Sequence, residues 1–588
     1  MGANSWEYQQ QAIDAEIKSL EESIRVLKYR RNALAPISSF PTEVTTRIFS
    51  FLHPTSSVFT PDKKPNSDPL AWLRVAHICH QWREIALNES LFWSHIDFRN
   101  LSSVGITEIL ARAKTAPLYL EARFLGGQLN YWKEALFTTF EFDAVQENLQ
   151  ACVSRICHLL FSADRPEFSE TLNSLISPAP TLERLSLTCK DHTEVLHSRL
   201  ILHPVIPETL FNGITPRLSC LELRRCDISW KSPLLRGLTY LDIRSPSACP
   251  RLSVWLDALD EMPQLQMFAL HEASPLADDG DRFLFDVKRT ATLPSLTHFD
   301  ISDSPLYCAF ALAHLDLPVL TCLSVKTFTF LEDGHNVRDV LPYIAQHAHG
   351  SQDAQPLQSV LIRGKQRQAD FLAWPVPNID VEEQGSTLLA KMGPARVALY
   401  ICNNDSNRFD AHNEIFDLAM AAVPLDGLVT FIAQDFRTMP FEFEQHRFPN
   451  LPKLPMLQHM RLESNVATRF IHRLLADDGG REDPLLPSLK ELVVIGADLR
   501  EDWTLRLCEV LMKRVEQRVP LEMLDLRTCR PYPGFPAAVR LFGEIVVDVL
   551  GPEETFDSRF QIISMWDCSP HGSFVRHDDS VIIDDDDK

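Results

Sequence analysis

The segment Leu218 to Ile228 reads LSCLELRRCDI, and its leucines return in the same order through more than half of the chain. The core L-x-x-L-x-L, with Ile, Val, Met or Phe replacing some leucines, starts again at Leu182, Leu238, Leu265, Leu296, Leu320, Leu357, Leu457, Leu489 and Leu521. Two anchors spaced by two residues point the same way from an extended strand. A strand of five or six residues cannot bury such a face alone, so each copy needs the next one stacked beside it. The pattern therefore commits the region to a row of short parallel strands.

Leu218 to Ile228 fits the leucine-rich-repeat template L-x-x-L-x-L-x-x-N/C-x-L at every anchor, and Leu521 to Cys529 fits it through the cysteine. The copy LQHMRLESN carries Asn465 at the asparagine position. Starts are 20 to 37 residues apart in the regular stretch, which calls for frequent insertions. Residues 366–450 interrupt the rhythm. RVALYI (Arg396 to Ile401) and GLVTFIA (Gly427 to Ala433) read there as strands and as degenerate copies. A mixed α/β domain with leucine-rich strands is the competing reading.

At the N-terminus, Ile13, Ile17, Leu20, Ile24, Leu27 and Leu34 alternate at four and three, with Arg31 in the one charged slot. This is a heptad seam. It predicts either a dimer through residues 6–34 or one amphipathic helix packed on its own chain. Pro36 ends it, because the residue before a proline is pushed out of the helical region.

The next sixty residues carry two apolar helical patterns. SFPTEVTTRIFSFL places Val44, Ile48, Phe49 and Leu52 on one helical face. HPTSSVFTPDKKPNSDP then reads as an exposed loop. Asp68 and Pro69 predict the start of a helix over Leu70 to Leu87. Its stripe is Trp72, Val75, Cys79, Trp82 and Ala86. His77 and His80 share another face, and Cys79 points about 200° from His77. The three do not converge, so no metal site is expected. A unit this small with faces this wide calls for a permanent partner.

In Phe40-Pro41, Glu43-Val44, Ile48-Phe49, Leu52, a variable loop, Leu73, Val75, Cys79, Trp82-Arg83, Ala86, Leu91 and Trp93, the sequence resembles an F-box, in particular the F-box-like modules of mushroom-forming fungi. Phe40 and Thr45 stand where leucine, and leucine or isoleucine, are usual. The resemblance implies docking to a Skp-family linker protein, and through it a cullin, in an SCF-type ubiquitin ligase. The contacts it implies are Phe40, Pro41, Val44, Ile48, Phe49, Leu52, Leu73, Val75, Cys79, Trp82 and Trp93. The repeats would then hold an unknown protein substrate, and the chain would be a non-catalytic adaptor. A repeat scaffold outside ubiquitin transfer is the alternative.

The substrate face would be formed by strand residues between the anchors: Glu222, Arg224, Asp242, Arg244, Asp525 and Arg527, with Lys326, Arg461 and Glu463 at equivalent places. Arg224, Arg244 and Arg527 together would suit an acidic or phosphorylated segment. The competing reading is a set of ion pairs worth little on a solvated surface.

The expected class is thus α+β and multi-domain: an amphipathic helix (1–36), an all-α F-box-like module (37–98), a segment leading into the repeats (99–175), an irregular leucine-rich-repeat solenoid with parallel strands (176–550) and an acidic tail (551–588). A net charge of -22 argues against binding a phosphate backbone. Thirteen cysteines, an odd number without a C-x-x-C pair, fit reduced thiols in cytosol or nucleus. No run of eighteen apolar residues predicts a membrane span. Phosphate-loop, nucleophile-elbow and zincin motifs are missing from the sequence, so no cofactor or metal is expected. The terminal DDSVIIDDDDK reads as an acidic tail; its last five residues also match an enteropeptidase site, and its aliphatic triplet resembles a SUMO-interacting motif.

Overall fold

A computed structural model describes residues 3–52, 71–98, 101–123, 139–190, 202–278, 289–318, 320–329, 337–350, 355–365, 368–377, 394–403, 419–434, 454–463, 467, 486–497, 501–529, 542–543 and 545–550. Three N-terminal helices are α1 (Ala3–Ala33), α2 (Thr42–Ser50) and α3 (His80–Asn88). The strands begin with β1 (His95–Asp97), β2 (Leu118–Arg123), β3 (Ile156–Asp164), β4 (Arg184–Lys190), β5 (Cys220–Arg224), β6 (Tyr240–Arg244) and β7 (Met267–His271). Next come β8 (Ala291–Thr292), β9 (His298–Asp303), β10 (Leu315–Asp316), β11 (Cys322–Thr329) and β12 (Ser359–Lys365). The series ends with β13 (Gln368–Trp374), β14 (Val397–Asn403), β15 (Thr430–Gln434), β16 (His459–Glu463), β17 (Glu491–Ile495), β18 (Met523–Asp525) and β19 (Asp548–Leu550).

Apart from the small β8–β10 pair, these strands form one sheet. From β1 to β11 each strand pairs in parallel with the next one in the chain. From β12 the order resumes through β15, β16, β17, β18 and β19, again parallel. Between the two runs the order inverts. β11 pairs with β14, β14 with β13 and β13 with β12, and the last two pairings are antiparallel. The expected unbroken series of parallel strands therefore fails at residues 359–403. A hairpin needs only a few connecting residues, so an antiparallel strand can enter where a parallel one would need a crossover.

The buried row nevertheless crosses all of these strands. Ile96, Leu120, Leu159, Leu185, Leu221, Leu241, Phe268, Phe299, Leu323 and Val397 are successive register partners. The row continues through Ala373, Val360, Phe431, Met460, Leu492, Leu524 and Val549. Most of these side chains lie in one hydrophobic cluster that runs from Phe49 to Val546, with Val549 packed against it. The helices Leu252–Asp260 and Glu501–Glu516 bury Trp255 and Trp503 in the same cluster. The Trp255 ring stacks on Phe268, and Phe268 on Phe299 at 5.3 Å.

The segment 99–175, read as leading into the repeats, supplies β2 and β3. Buried residues of the 37–98 module lie in the same main hydrophobic cluster as those of the sheet. The reason is β1, which lies inside the all-α module and is the first strand of the sheet.

Candidate docking site

The module is built on five aromatic rings. Trp72 meets Trp93 edge-on at 5.1 Å and Phe92 at 5.5 Å. Phe49 meets Trp82 edge-on at 5.0 Å. The Trp93 indole N–H donates to the Ala86 carbonyl at 3.0 Å, and the Arg112 guanidinium lies 5.0 Å over the same ring. These contacts fix α2 against α3 and, among the described residues, leave one side of α2 uncovered.

The two sides of α2 are distinct. Thr45 and Phe49 point inward, Phe49 with 3% of its surface exposed. Val44, Ile48, Phe51 and Leu52 point outward, and Phe51 is 74% exposed. Phe40 and Pro41, just ahead of the helix, are exposed as well. The expected grouping of Phe49 with Val44, Ile48 and Leu52 is thus corrected, since at 100° per residue Phe49 lies well round the helix from Val44. Thr45, which departs from the usual aliphatic, sits on the inner side. Its hydroxyl donates to the Pro41 carbonyl at 3.3 Å, so no polar group is stranded and the outer face keeps its character.

The second helical pattern is also corrected. Residues Ala71–His77 form a 3-10 helix, Cys79 is extended at φ -155°, and α3 starts only at His80. His77, Ile78, Cys79 and His80 are four weak helix formers in succession, which is where a continuous helix is cheapest to interrupt. Asp68 and Pro69 lie outside the described residues. Val75 and Trp93 are buried, while Leu73, Cys79 and Trp82 are half-buried. Of the implied contacts, therefore, Phe40, Pro41, Val44, Ile48 and Leu52 are available to a partner, and Phe49, Val75 and Trp93 serve the core. Phe51, Ile78 and Leu91 are exposed apolar neighbours that the reading of the contacts omitted. For Phe51 the signal was present, three residues after Ile48 and seven after Val44. His77 and His80 are exposed, His80 beside Glu84 at 3.6 Å, and no metal-binding cluster occurs among the described residues.

An exposed apolar face on a helix that is already braced from behind is a candidate surface for another protein. Residues 37–99 match the family model for F-box-like domains. No curated protein gives a match to the chain. The matched region thus runs through β1, so the F-box-like domain is joined to the sheet through a strand rather than a linker.

The face of the sheet opposite the buried row carries the second set of candidates. Glu222 and Arg224 lie beside Asp242 and Arg244 in register. Arg244 clamps Asp242 two residues back on its own strand, with N–H to carboxylate distances of 2.7 to 3.0 Å. Arg527 clamps Asp525 in the same way, at 2.7 to 3.2 Å. Burial alone would raise the Asp525 carboxyl, but the Arg527 hydrogen bonds outweigh it and hold it below the usual carboxylate range. Arg123 and Glu121 repeat the arrangement at 2.6 Å, a fourth acid-x-Arg that was there to be read. Glu222 differs: it accepts from the Ser186 hydroxyl at 3.1 Å.

The three arginines do not form one surface. Arg224 and Arg244 are adjacent, but β18 stands ten strand spacings from β6, roughly 48 Å along the sheet. The order of the copies already put six of them between Leu238 and Leu521, and grouping the three arginines by strand position alone overlooked that separation. Among those strands, Leu361, Leu372, Trp374, Ala398 and Ile432 make a separate apolar cluster off the main core. This face therefore carries charge at Glu222, Asp242, Arg244 and Lys326, holds a buried apolar cluster and the buried Arg363–Asp370 pair in the centre, and is charged again at Arg461 and Asp525.

Proposed function

We propose that this chain is a substrate-receptor subunit of an SCF-type cullin–RING ubiquitin ligase. The outer face of α2, Phe40, Val44, Ile48, Phe51 and Leu52, docks to a Skp-family linker protein, and a cullin is engaged through that linker. The sheet is a leucine-rich-repeat array whose open face holds a protein substrate. The chain makes no bond itself; it raises the effective concentration of substrate lysines near the charged ubiquitin carrier. The described cysteines are free thiols, which fits work in cytosol or nucleus.

One observation carries the reading: an F-box-like domain shows an uncovered apolar helix face and continues in register into the sheet. Adaptors act by geometry, and a shared strand holds the two binding surfaces in a fixed relation. The test is Val44→Glu with Ile48→Glu in the full chain. Both side chains are exposed, so stability should change by no more than about 0.5 kcal/mol each. Capture of a purified Skp-family protein should be lost. Capture at the unaltered level, with Tm unchanged, would refute the docking assignment. Phe49→Ala is the contrast, expected to cost about 3–5 kcal/mol in stability because that ring is in the core.

A further inference from the structure

The helix α1 is 31 residues long, and every side chain described from Trp6 to Arg31 is exposed. Its seam, Ile13, Ile17, Leu20, Ile24 and Leu27, is about half exposed at each position and touches no other part of the described chain as core. An isolated helix of this length is marginal in water, and its stability must come from packing an apolar face. The question is what covers the seam. Placing Ile17 and Ile24 at heptad position a puts Ile13, Leu20, Leu27 and Leu34 at d, Asp14, Glu21 and Lys28 at e, and Glu16, Ser23 and Arg30 at g. Positions e and g flank the seam and set partner and orientation.

The charges answer it. Residues 3–22 hold five acids and one lysine, and residues 23–33 hold four bases and no acid. A parallel pair of copies would set Glu16 against Glu21 of its partner twice and Arg31 against Arg31 in the core layer. It would form no attractive flanking pair. An antiparallel pair in which residue 17 faces residue 27 of the other copy places Asp14 beside Lys28 and Glu16 beside Arg30, each twice. It also sets Arg31 over Ile13, where the aliphatic stem can lie on the apolar surface. The cost is one Glu21–Glu21 contact. The Arg25–Glu22 pair at 2.6 Å lies off the seam and is untouched in either case.

We infer that α1 is an antiparallel self-association element, binding a second copy of this chain through Ile13, Ile17, Leu20, Ile24 and Leu27 with Asp14–Lys28 and Glu16–Arg30 as the orienting pairs. The test is sedimentation equilibrium of the full chain. A concentration-dependent dimer is expected, and Ile17→Asn with Ile24→Asn should leave only monomer. Lys28→Glu with Arg30→Glu turns four attractive pairs repulsive and should weaken the dimer roughly tenfold or more. Adding Asp14→Lys and Glu16→Lys should restore it. In a parallel pair the first change would be neutral, so an unchanged dimer there overturns the orientation. A chain that stays monomeric at every concentration overturns the whole inference. Because α1 stands clear of the core, near-ultraviolet circular dichroism of all variants should match the parent, which separates lost association from lost folding.

Discussion

The sheet has two flanks and a centre, and they are built by different local rules. On the flanks a single carbonyl ahead of most of the regular strands accepts two N–H groups from the next one. Glu183 takes Ser219 and Cys220, Ser219 takes Thr239 and Tyr240, and Gln266 takes Thr297 and His298, at 2.8 to 3.1 Å. Beyond the centre the device returns: Gln358 takes Val429 and Thr430, Gln458 takes Lys490 and Glu491, and Lys490 takes Glu522 and Met523. In the centre it is replaced. Leu323 donates to Arg396 and Gln358 to Trp374, following the inverted order. The buried row survives this change and the entry motif does not. Side-chain register is thus the stronger constraint, since a slip of one residue would turn every anchor away from the core.

The centre differs also in how it holds charge. Arg363 of β12 and Asp370 of β13 are direct register partners, joined through Nε at 2.8 Å, with the Asp370 side chain fully buried. Arg244 on the flank makes a similar clamp to Asp242 but leaves 39% of its side chain to solvent. Asp370→Ala should therefore strand a buried guanidinium and cost about 3–5 kcal/mol. Asp242→Ala should cost about 1 kcal/mol or less, because Arg244 can turn to water. Urea unfolding of the two variants measures the gap. Equal losses would show that the hairpin is no more tightly held than the flank, and the contrast would have to be abandoned.

This division explains what could be read from the amino-acid order. The anchors of LSCLELRRCDI and its copies were legible because alternation at period two is a local property, and so was the face on which Glu222, Asp242 and Asp525 stand. Strand order was not legible. QADFLAW, the β13 sequence, closes on four apolar residues and is buried from Ala369 to Trp374, but it carries no mark of its direction or neighbours. In α2 the apolar residues were evident, but Phe49 and Ile48 are chemically alike. Only the position of Trp82 and the rest of the core decides that one turns in and the other out. The break at Cys79 was written in the weak helix formers around it, and the apolar stripe through the same residues concealed it.

Acid should act on the first flank. Burial, and then the nearby Arg184, lowers His158 on β3 to about 4, although the Glu183 carboxylate lies 3.8 Å away. His271 on β7 is lowered too, by burial and by Arg244, against the pull of Asp300. Above pH 6.5 both folded and unfolded chains hold these rings neutral. Below it the unfolded chain binds protons that the folded one resists, so stability falls as pH drops from about 6.5 toward about 4. Tm measured across that window should decline, and His158→Gln should flatten part of the slope. Amide exchange should show the loss on β2 to β7 before β15 to β18. Uniform loss over the sheet would mean that the two flanks open as one unit.

The smallest effect tests whether the flanks are truly the same repeat. Cys226 follows the last anchor of β5 by three residues, and its thiol points to the Leu187 carbonyl on the preceding strand at 3.9 Å. Cys529 follows Leu526, the last anchor of its copy just past β18, by the same count, and its thiol meets the Val494 carbonyl of the preceding strand at 3.2 Å. Both are buried. A thiol is a weak donor, so what each supplies is mainly a small apolar plug under the turn. Cys226→Ala and Cys529→Ala should each cost roughly 1 kcal/mol, the scale of deleting one buried heavy atom. Their double variant should cost the sum, since the sites are far apart. If Cys529→Ala cost several times more than Cys226→Ala, the shorter contact would be a specific bond of the second flank. The two ends of the sheet would then share a sequence pattern without sharing a structural unit.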